Sequence, residues 1–280
     1  MTLVEVIIQG IIQGITEFLP ISSSGHLSVF QHLFGLSGND SMMLTVILHL
    51  GTLVAVFIAF RKMLWEIVKE FFRVIGDIFT KKNIFRDIND SRRMLFMVIV
   101  GTVPLVGAYF LSDLVKGIST DNDIIIEGIC FTLTGLLLFV AFFKDRGYKG
   151  IKDMRVGDAI FVGIAQLIAI LPGISRSGTT AAAGSLRKLN KETVISFSFI
   201  LGIPAIIAAA ASELLSKETA AISISLPFLA IGFLTSLIFG LITIGLIRWL
   251  MRKERYTIFS YYLFIVGAMT ITLGILERTI

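Results

Sequence analysis

The sequence predicts an all-α integral membrane protein with six transmembrane helices and two re-entrant helical hairpins in an inverted-topology repeat. Three observations support this prediction: an apolar composition, six segments long enough to span a bilayer, and one block that occurs twice. Of the 280 residues, 55% are hydrophobic and 16% are charged, and the mean hydropathy is +0.87. Soluble domains average about 45–50% apolar and about 25% charged residues, so much of the surface must contact lipid.

A transmembrane helix needs about 20 apolar residues to cross about 30 Å of hydrocarbon. The runs that meet this requirement are 41–60, 92–112, 124–143, 192–212, 226–249 and 257–277. Two other apolar segments, 3–35 and 157–189, are each broken near the middle by a polar turn. Non-helical backbone at membrane depth is tolerated only where protein or water covers it. We therefore expect each segment to form a re-entrant hairpin.

The block at 10–25 recurs at 163–178 with eight identities in 16 positions and no gap. The identical residues are Gly10, Ile11, Gln13, Ile15, Ile21, Ser22, Ser24 and Gly25, each repeated 153 positions later. The single membrane domain, 1–280, then divides into two repeats, 1–143 and 157–280, each a hairpin followed by three spans. Because three is odd, the second repeat must be inverted relative to the first, which places a shared site where the two breaks meet.

The basic residues are concentrated on one side of the predicted bundle. Of the 25 Lys and Arg residues, 21 lie in the loops 61–93, 144–156, 186–193 and 248–256. The opposite loops hold only Lys116, Lys217 and Arg278. The positive-inside rule places the basic loops in the cytoplasm and both termini outside. The formal charge of +5 is therefore an orientation signal, and we expect no nucleic-acid partner. One basic loop contains an amphipathic segment, 65–79.

The first polar turn carries a carboxylate and an imidazole. Gln13 and Glu17 lie four residues apart and share a helix face. A carboxylate at membrane depth is a functional candidate, although hydroxyls and backbone groups would also satisfy Glu17. Gln13 fits a metal ligand, a hydrogen-bond partner or a packing amide. Imidazole titrates near neutral pH, which makes His26 the candidate for proton transfer. His32 and His49 are interpreted as hydrogen-bonded packing residues.

Both turns end at the start of a short helix, where hydroxyls and N–H groups suit an anion or an ordinary N-cap. In the second turn, Arg176 presents a planar fork of donors that matches phosphate or carboxylate oxygens, or a salt bridge to Glu17. Phosphate fits this donor set best. The candidate substrate-binding residues are Ser22, Ser24, Gly25, Gly173, Ser175, Arg176, Ser177 and Thr180.

These residues favour phosphoryl transfer, with Ser23 as nucleophile, His26 as its general base, Glu17 orienting or relaying the proton, and Arg176 neutralising charge. Direct attack by water activated through His26 is the alternative mechanism. A second function class also fits, because inverted repeats with paired broken helices are typical of transporters. The alternative function is therefore a transporter or flippase of a phosphate-bearing lipid or anion.

Three blocks resemble the bacterial undecaprenyl-diphosphatase family of the bacitracin-resistance type. They are EFLPISSSGH at 17–26, LPGISRSGTT at 171–180 and FSFILGIP at 197–204. The resemblance covers essentially the whole chain. It implies dephosphorylation of undecaprenyl diphosphate to undecaprenyl phosphate and inorganic phosphate at the outer face of the bacterial cytoplasmic membrane. That reaction recycles the lipid carrier for cell-wall synthesis and confers bacitracin resistance.

The resemblance also implies a divalent cation, Mg²⁺ or Ca²⁺, with Gln13 and Glu17 as the candidate ligands. The family allows Glu or Gln at the position four residues before its glutamate. Because Gln13 stands there, Glu17 is the only carboxylate of this block, which weakens any two-carboxylate cage. The expected partners are a polyprenyl diphosphate lipid and the membrane, and a homodimer is left open.

Overall fold

The computed structural model describes residues 1–85, 88–108, 123–142, 147–214, 224–252 and 256–279. Within these ranges the chain forms eleven α-helices and two short 3₁₀ helices, and its β-structure is limited to one isolated bridge between Lys149 and Leu189. The predicted all-α class is confirmed. Lys116 and Lys217, which entered the orientation argument, lie outside the described residues.

The helices are α1 (Leu3–Thr16), α2 (Ser23–Leu33), α3 (Asn39–Ala59), α4 (Arg61–Phe79), α5 (Asp90–Thr102), α6 (Ile125–Phe142), α7 (Val156–Ile168), α8 (Arg176–Leu186), α9 (Lys191–Leu214), α10 (Leu226–Arg252) and α11 (Ile258–Thr279). Among the described residues, α3, α9, α10 and α11 are long and apolar enough to cross a membrane. Shorter apolar helices are α1, α6 and α7. The chain is therefore a multi-pass membrane protein.

Four predicted spans coincide with the four long apolar helices: 41–60 with α3, 192–212 with α9, 226–249 with α10 and 257–277 with α11. The predicted span 124–143 coincides with α6, although its last residue lies outside the described part. Both predicted breaks are also present, since the paired helices α1 and α2, and likewise α7 and α8, are each separated by a non-helical turn.

The predicted span 92–112 differs from the structure. Helix α5 ends at Thr102, and Val103–Gly107 continue as a 3₁₀ helix. Pro104 explains this end, because proline has no N–H to donate and its ring clashes with the carbonyl of the residue four positions earlier. The described part of this segment is therefore not one continuous α-helix, and the span itself stays a prediction because residues 109–112 lie outside the described part.

The helices pack so that the two polar turns lie inside the protein. Helices α1 and α3 pack against α10, and α6 packs against α11. Helix α8 is surrounded by α6, α7 and α9, which buries almost its entire length. Large side chains such as Phe18, Phe131 and Phe197 are at most 2% exposed. The start of α8 is thereby held in protein and shielded from lipid.

Helix α4 contains the predicted amphipathic segment, with Trp65 and Phe72 exposed on one face. On the other face, Glu70 is buried and accepts bonds from Arg92 Nε (2.9 Å), Arg73 Nη1 (2.6 Å) and Asn89 Nδ2 (2.8 Å). Burial by itself would raise the pKa of Glu70, but these hydrogen bonds and the charge of Arg92 outweigh it and lower the pKa to about 2. The apolar face is left outward, as expected for a helix lying along a membrane surface.

Candidate active site

The structure brings the two polar breaks into contact. We call residues 17–25 the first turn and residues 169–178 the second turn. Ser177 Oγ of the second turn donates to the backbone oxygen of Leu19 in the first, at 2.9 Å. An ion pair between Glu17 and Arg176 adds to this bond. The residues predicted from both halves of the sequence therefore share one place.

Each turn ends in the same serine cap. Ser22 Oγ accepts from the backbone N–H of Gly25 at 3.2 Å, and Ser175 Oγ accepts from that of Gly178 at 3.1 Å. In both cases the serine side chain satisfies an N–H that the first helical turn leaves without a partner. The repeated Ser-x-Ser-Gly sequence thus produces the same local structure twice.

The backbone of the two turns differs where it enters the caps. Ser22 has φ +70°, whereas its counterpart Ser175 has φ −73°. A non-glycine residue in the left-handed region is strained, and such strain collects at functional sites. In the second turn the left-handed residue is Gly173, with φ +85°, where a Cβ would also lie 2.9 Å from Cys130 Cβ. Cys130 is buried there as a packing residue.

Glu17 is the centre of the site. It is 5% exposed, and its Oε2 accepts from Gln13 Nε2 at 2.9 Å and from Ser23 Oγ at 2.6 Å. Its Oε1 pairs with the Arg176 guanidinium across the two turns. This salt bridge was predicted from the sequence as the alternative to anion binding by Arg176. Glu17 is therefore a carboxylate neutralised by the opposite turn and bonded to a hydroxyl that is only partly buried.

Arg176 is oriented from two sides. Besides the pair with Glu17, its Nη1 donates to the backbone oxygen of Gly202 at 3.0 Å. A Cβ on Gly202 would lie 3.1 Å from the guanidinium carbon, so a side chain there would displace the arginine. Sequence reasoning missed Gly202 as a site residue; its signal was the third block, 197–204, which was used only for the resemblance.

Four of the candidate hydroxyls, three for phosphate binding and the nucleophile Ser23, fall into two groups. Ser175 and Thr180 are about 1% exposed, and Thr180 Oγ1 donates to the backbone oxygen of Arg176 at 2.8 Å and pairs with Ser198. These side chains shape the second turn. Ser23 and Ser24, in contrast, are partly buried and exposed, respectively. The accessible hydroxyls among these four therefore lie on the first turn.

His26 does not contact Ser23 through a hydrogen bond. Its Nδ1 bonds to the backbone oxygen of Ser22 at 2.7 Å, and its Nε2 to Tyr262 Oη at 2.8 Å. The ring stacks on Tyr262, with centroids 5.8 Å apart and planes 9° apart. Both ring nitrogens are therefore already engaged, and the group in contact with the Ser23 hydroxyl is Glu17.

A cavity of about 690 Å³ opens beside the site and is lined by His49, Glu127 and Pro172, among others. His49 Nδ1 bonds to the backbone oxygen of Thr45 at 2.8 Å, while its Nε2 lies 3.7 Å from Glu17 Oε2. His49 is thus hydrogen-bonded, as predicted, but it also lies beside Glu17 in the site, which its interpretation as a packing residue missed. The sequence around His49 gives no signal of a site role, because this residue lies in α3, outside both polar turns and the repeated blocks. His32 instead pairs with Glu277 at 2.7 Å.

One side-chain oxygen next to Glu17 is available as a ligand for a cation. Gln13 Oε1 is buried and has no hydrogen-bond partner among the described residues. Amide and carboxylate oxygens are ligands that Mg²⁺ and Ca²⁺ prefer. No group of three or more His, Cys, Asp or Glu residues suited to a metal is found in the described ranges. The unpartnered oxygen of Gln13 and the carboxylate of Glu17 would thus be the residues to hold a divalent cation.

The chain is similar to a known family over nearly its full length. A family model described as "Bacitracin resistance protein BacA" matches residues 6–269. An undecaprenyl-diphosphatase of Alkaliphilus metalliredigens (strain QYMF) is 40% identical over 281 residues, covering 99% of this chain and 100% of the relative. An undecaprenyl-diphosphatase of Methanosphaera stadtmanae is 37% identical, covering 98% of each chain, and undecaprenyl-diphosphatase 4 of Bacillus cereus (strain ZK / E33L) is also 37% identical, covering 98% of each. The family match includes both turns.

Proposed function

The chain belongs to the family described as bacitracin resistance protein BacA, and we propose that its two turns form the catalytic site of an undecaprenyl-diphosphatase. The chain dephosphorylates undecaprenyl diphosphate to undecaprenyl phosphate and inorganic phosphate, as the near full-length similarity to undecaprenyl-diphosphatases supports. Bacitracin resistance is associated with this family. The single observation that carries the site assignment is the Glu17–Arg176 pair, which joins the end of α1 to the start of α8.

The second turn binds the diphosphate in this proposal. Arg176 offers a planar guanidinium that forms paired hydrogen bonds with phosphate oxygens, and the start of α8 adds the positive end of a helix dipole. Ser24 of the first turn is exposed and can donate to the same group. Ser22, Gly25, Gly173, Ser175, Ser177 and Thr180 keep the predicted binding role mainly by fixing the shape of the two turns.

Ser23 is the proposed nucleophile, because its hydroxyl is partly buried and bonded to a carboxylate. Its Oγ attacks the terminal phosphorus, the bond from that phosphorus to the bridging oxygen breaks, and undecaprenyl phosphate leaves. The hydroxyl proton passes to Glu17. Water then cleaves the phosphoserine, which releases inorganic phosphate and restores the serine. In the alternative mechanism, water activated through His26 attacks directly. The geometry favours Ser23, since His26 bonds to Ser22 and Tyr262.

Gln13 and Glu17 would hold the divalent cation, Mg²⁺ or Ca²⁺, through their side-chain oxygens. When bound, the cation offsets phosphate charge and polarises a phosphoryl oxygen. The unpartnered Oε1 of Gln13 supports this part of the proposal. Even without the cation, Arg176 places a positive charge next to Glu17.

The topology proposed for the membrane keeps six spans and two re-entrant hairpins, 3–35 and 157–189, in two inverted repeats, 1–143 and 157–280. The matching serine caps support the repeat. The protein lies in the bacterial cytoplasmic membrane with both termini outside, and the site opens to the outer face. A homodimer stays a prediction.

Phosphate release by the purified protein in detergent tests the function, because a micelle has no gradient and a transporter or flippase would release none. We expect turnover of undecaprenyl diphosphate, and a loss of about 10³-fold in kcat for Arg176→Ala. Arg187→Ala is the matched control, since Arg187 pairs with buried Asp158 away from the site. Equal turnover by Arg176→Ala and Arg187→Ala would refute the site assignment.

A further inference from the structure

A second cavity lies where three span-length helices meet at one end. It measures about 580 Å³ and is lined by the end of α3, the starts of α4 and α9, and Arg248 near the end of α10. Helix α3 has 21 residues, which corresponds to about 31 Å and matches a hydrocarbon core of about 30 Å. A cavity at the ends of such helices lies at the depth of lipid headgroups.

The lining of this cavity is strongly basic above an apolar floor. Among the described residues, the charged ones that line it are Arg61, Lys62, Lys191, Arg248 and Glu192, an excess of three positive charges. Phe60 and Ile195 form part of the floor and are 6% and 8% exposed. A positive rim over an apolar floor matches a molecule with a phosphate at one end and hydrocarbon at the other.

Two of the basic groups are held in place by the end of α3. Arg248 Nη2 donates to the backbone oxygen of Ala59 at 3.4 Å, and its guanidinium carbon lies 4.3 Å from the centre of the Phe60 ring. Arg61 Nη1 donates to the backbone oxygen of Ile58 at 3.4 Å. A guanidinium is planar, permanently charged and carries its N–H donors in a rigid fork, so these bonds to carbonyls fix where its positive charge lies in the cavity wall.

The start of α4 adds hydrogen-bond donors to this space. This helix begins directly after α3, and no side chain caps its first turn. Its uncapped N–H groups can donate to an anion, whereas the negative end of the α3 dipole at the same junction offsets the positive end of the α4 dipole. Arg61 and Lys62 are the first two residues of this helix, so their charged side chains and these N–H donors face the same space.

We propose that this cavity binds the phosphate of a membrane lipid headgroup, with the basic rim on the phosphate and the hydrocarbon over Phe60 and Ile195. Basic pockets between membrane helices at the headgroup level are suited to this ligand. The cavity shares no lining residue with the 690 Å³ cavity beside Glu17. The inference therefore does not depend on the catalytic assignment.

Lipid binding to the full chain in detergent tests the inference, with phosphatidylglycerol as the probe and phosphatidylcholine as the neutral comparison. We expect phosphatidylglycerol to raise the unfolding temperature and to stay bound in native mass spectra, and phosphatidylcholine to do neither. Lys62→Gln/Lys191→Gln should weaken phosphatidylglycerol binding about 30-fold, at about 5-fold per charge. Undecaprenyl-diphosphate turnover should be unchanged, which separates this result from a failure of the proposed function.

Lys81→Gln/Lys82→Gln is the matched control, because both lysines are exposed and neither lines the cavity. Equal weakening by the two double variants would overturn the inference, since binding would then depend on general surface charge. Equal protection by inorganic phosphate would overturn the assignment to a lipid. Displacement of phosphatidylglycerol by equimolar undecaprenyl phosphate would support the site and identify the product as its lipid; retention would support the site and identify bulk phospholipid.

Discussion

The first and second turns have the same capping geometry and opposite chemistry. Both place a serine before a short helix, and both serines accept from the glycine three residues later. The first turn carries Glu17 and the accessible hydroxyls, whereas the second carries Arg176 and buried hydroxyls. The comparison teaches that a repeated backbone motif supplies two helix starts suited to anions. Divergence at single positions then makes the two turns complementary.

Removing the ion pair should have the largest effect. Glu17→Gln and Arg176→Gln each leave a charge without its partner, so each should lower stability by about 3 kcal/mol and kcat by about 10³-fold or more. The double variant should lose less stability than the sum of the two single variants, because the charges are removed together. Thermal unfolding in detergent and phosphate release measure the two effects. Strictly additive stabilities would show that the turns are not coupled through this pair.

Serine substitutions should distinguish the reacting hydroxyl from the hydroxyls that bind substrate or hold the turns in place. Ser23→Ala should lower kcat by about 10²–10⁴-fold, because the hydroxyl bonded to Glu17 is lost. Ser24→Ala should stay within about 10-fold, and Ser177→Ala should cost about 1 kcal/mol of stability by losing its bond to Leu19. Rapid quench with phosphopeptide analysis should detect phosphoserine at position 23. Near-normal turnover by Ser23→Ala would refute the covalent mechanism and leave direct attack by water.

The local features of both turns could be predicted from the sequence because they depend on neighbouring residues. A serine cap needs only the residues three positions on, and an apolar run of sufficient length indicates a helix by itself. The repeat then implied that the two breaks meet, and the opposite charges of Glu17 and Arg176 indicated a salt bridge between them. Pro104 was also visible in the sequence, but the apolar run around it outweighed the proline, which in fact ends α5.

The partners of individual polar atoms could not be predicted. His26 was paired with Ser23 because the two are close in sequence, yet its Nε2 bonds to Tyr262, 236 residues away. His49 lies in an apolar helix, and only the packing of that helix brings it within 3.7 Å of Glu17. Such contacts depend on side-chain rotamers and on how helices pack, and neither follows from a single sequence.

Glu70 has bonding partners similar to those of Glu17 but lies outside the proposed catalytic site. A substitution of Glu70 should therefore change stability and leave turnover unchanged. Like Glu17, it is buried and bonded to an arginine and an amide. Its pKa is lowered to about 2, so its contribution, at most about 3 kcal/mol, is present above the ordinary pKa near 4.5 and is lost as the pH falls toward 2. Glu70→Gln should flatten the loss of stability between pH 5 and pH 2 while turnover at neutral pH stays normal. An unchanged slope would show that other groups control acid unfolding.

The smallest effect on stability should come from substitutions of the cap residues Ser22 and Ser175. These two serines make the same capping bond but have opposite signs of φ. Replacing either serine by alanine removes the cap and should cost about 1 kcal/mol, whereas glycine costs a few tenths at an ordinary cap. At Ser22 the backbone has φ +70°, and glycine relieves about 1 kcal/mol of strain that alanine keeps. At each position, the glycine variant should have a larger free energy of unfolding than the alanine variant. This difference should be about 1 kcal/mol larger at Ser22 than at Ser175. Denaturant unfolding of the four variants measures this difference; equal advantages would show that the first turn stores no strain in its cap.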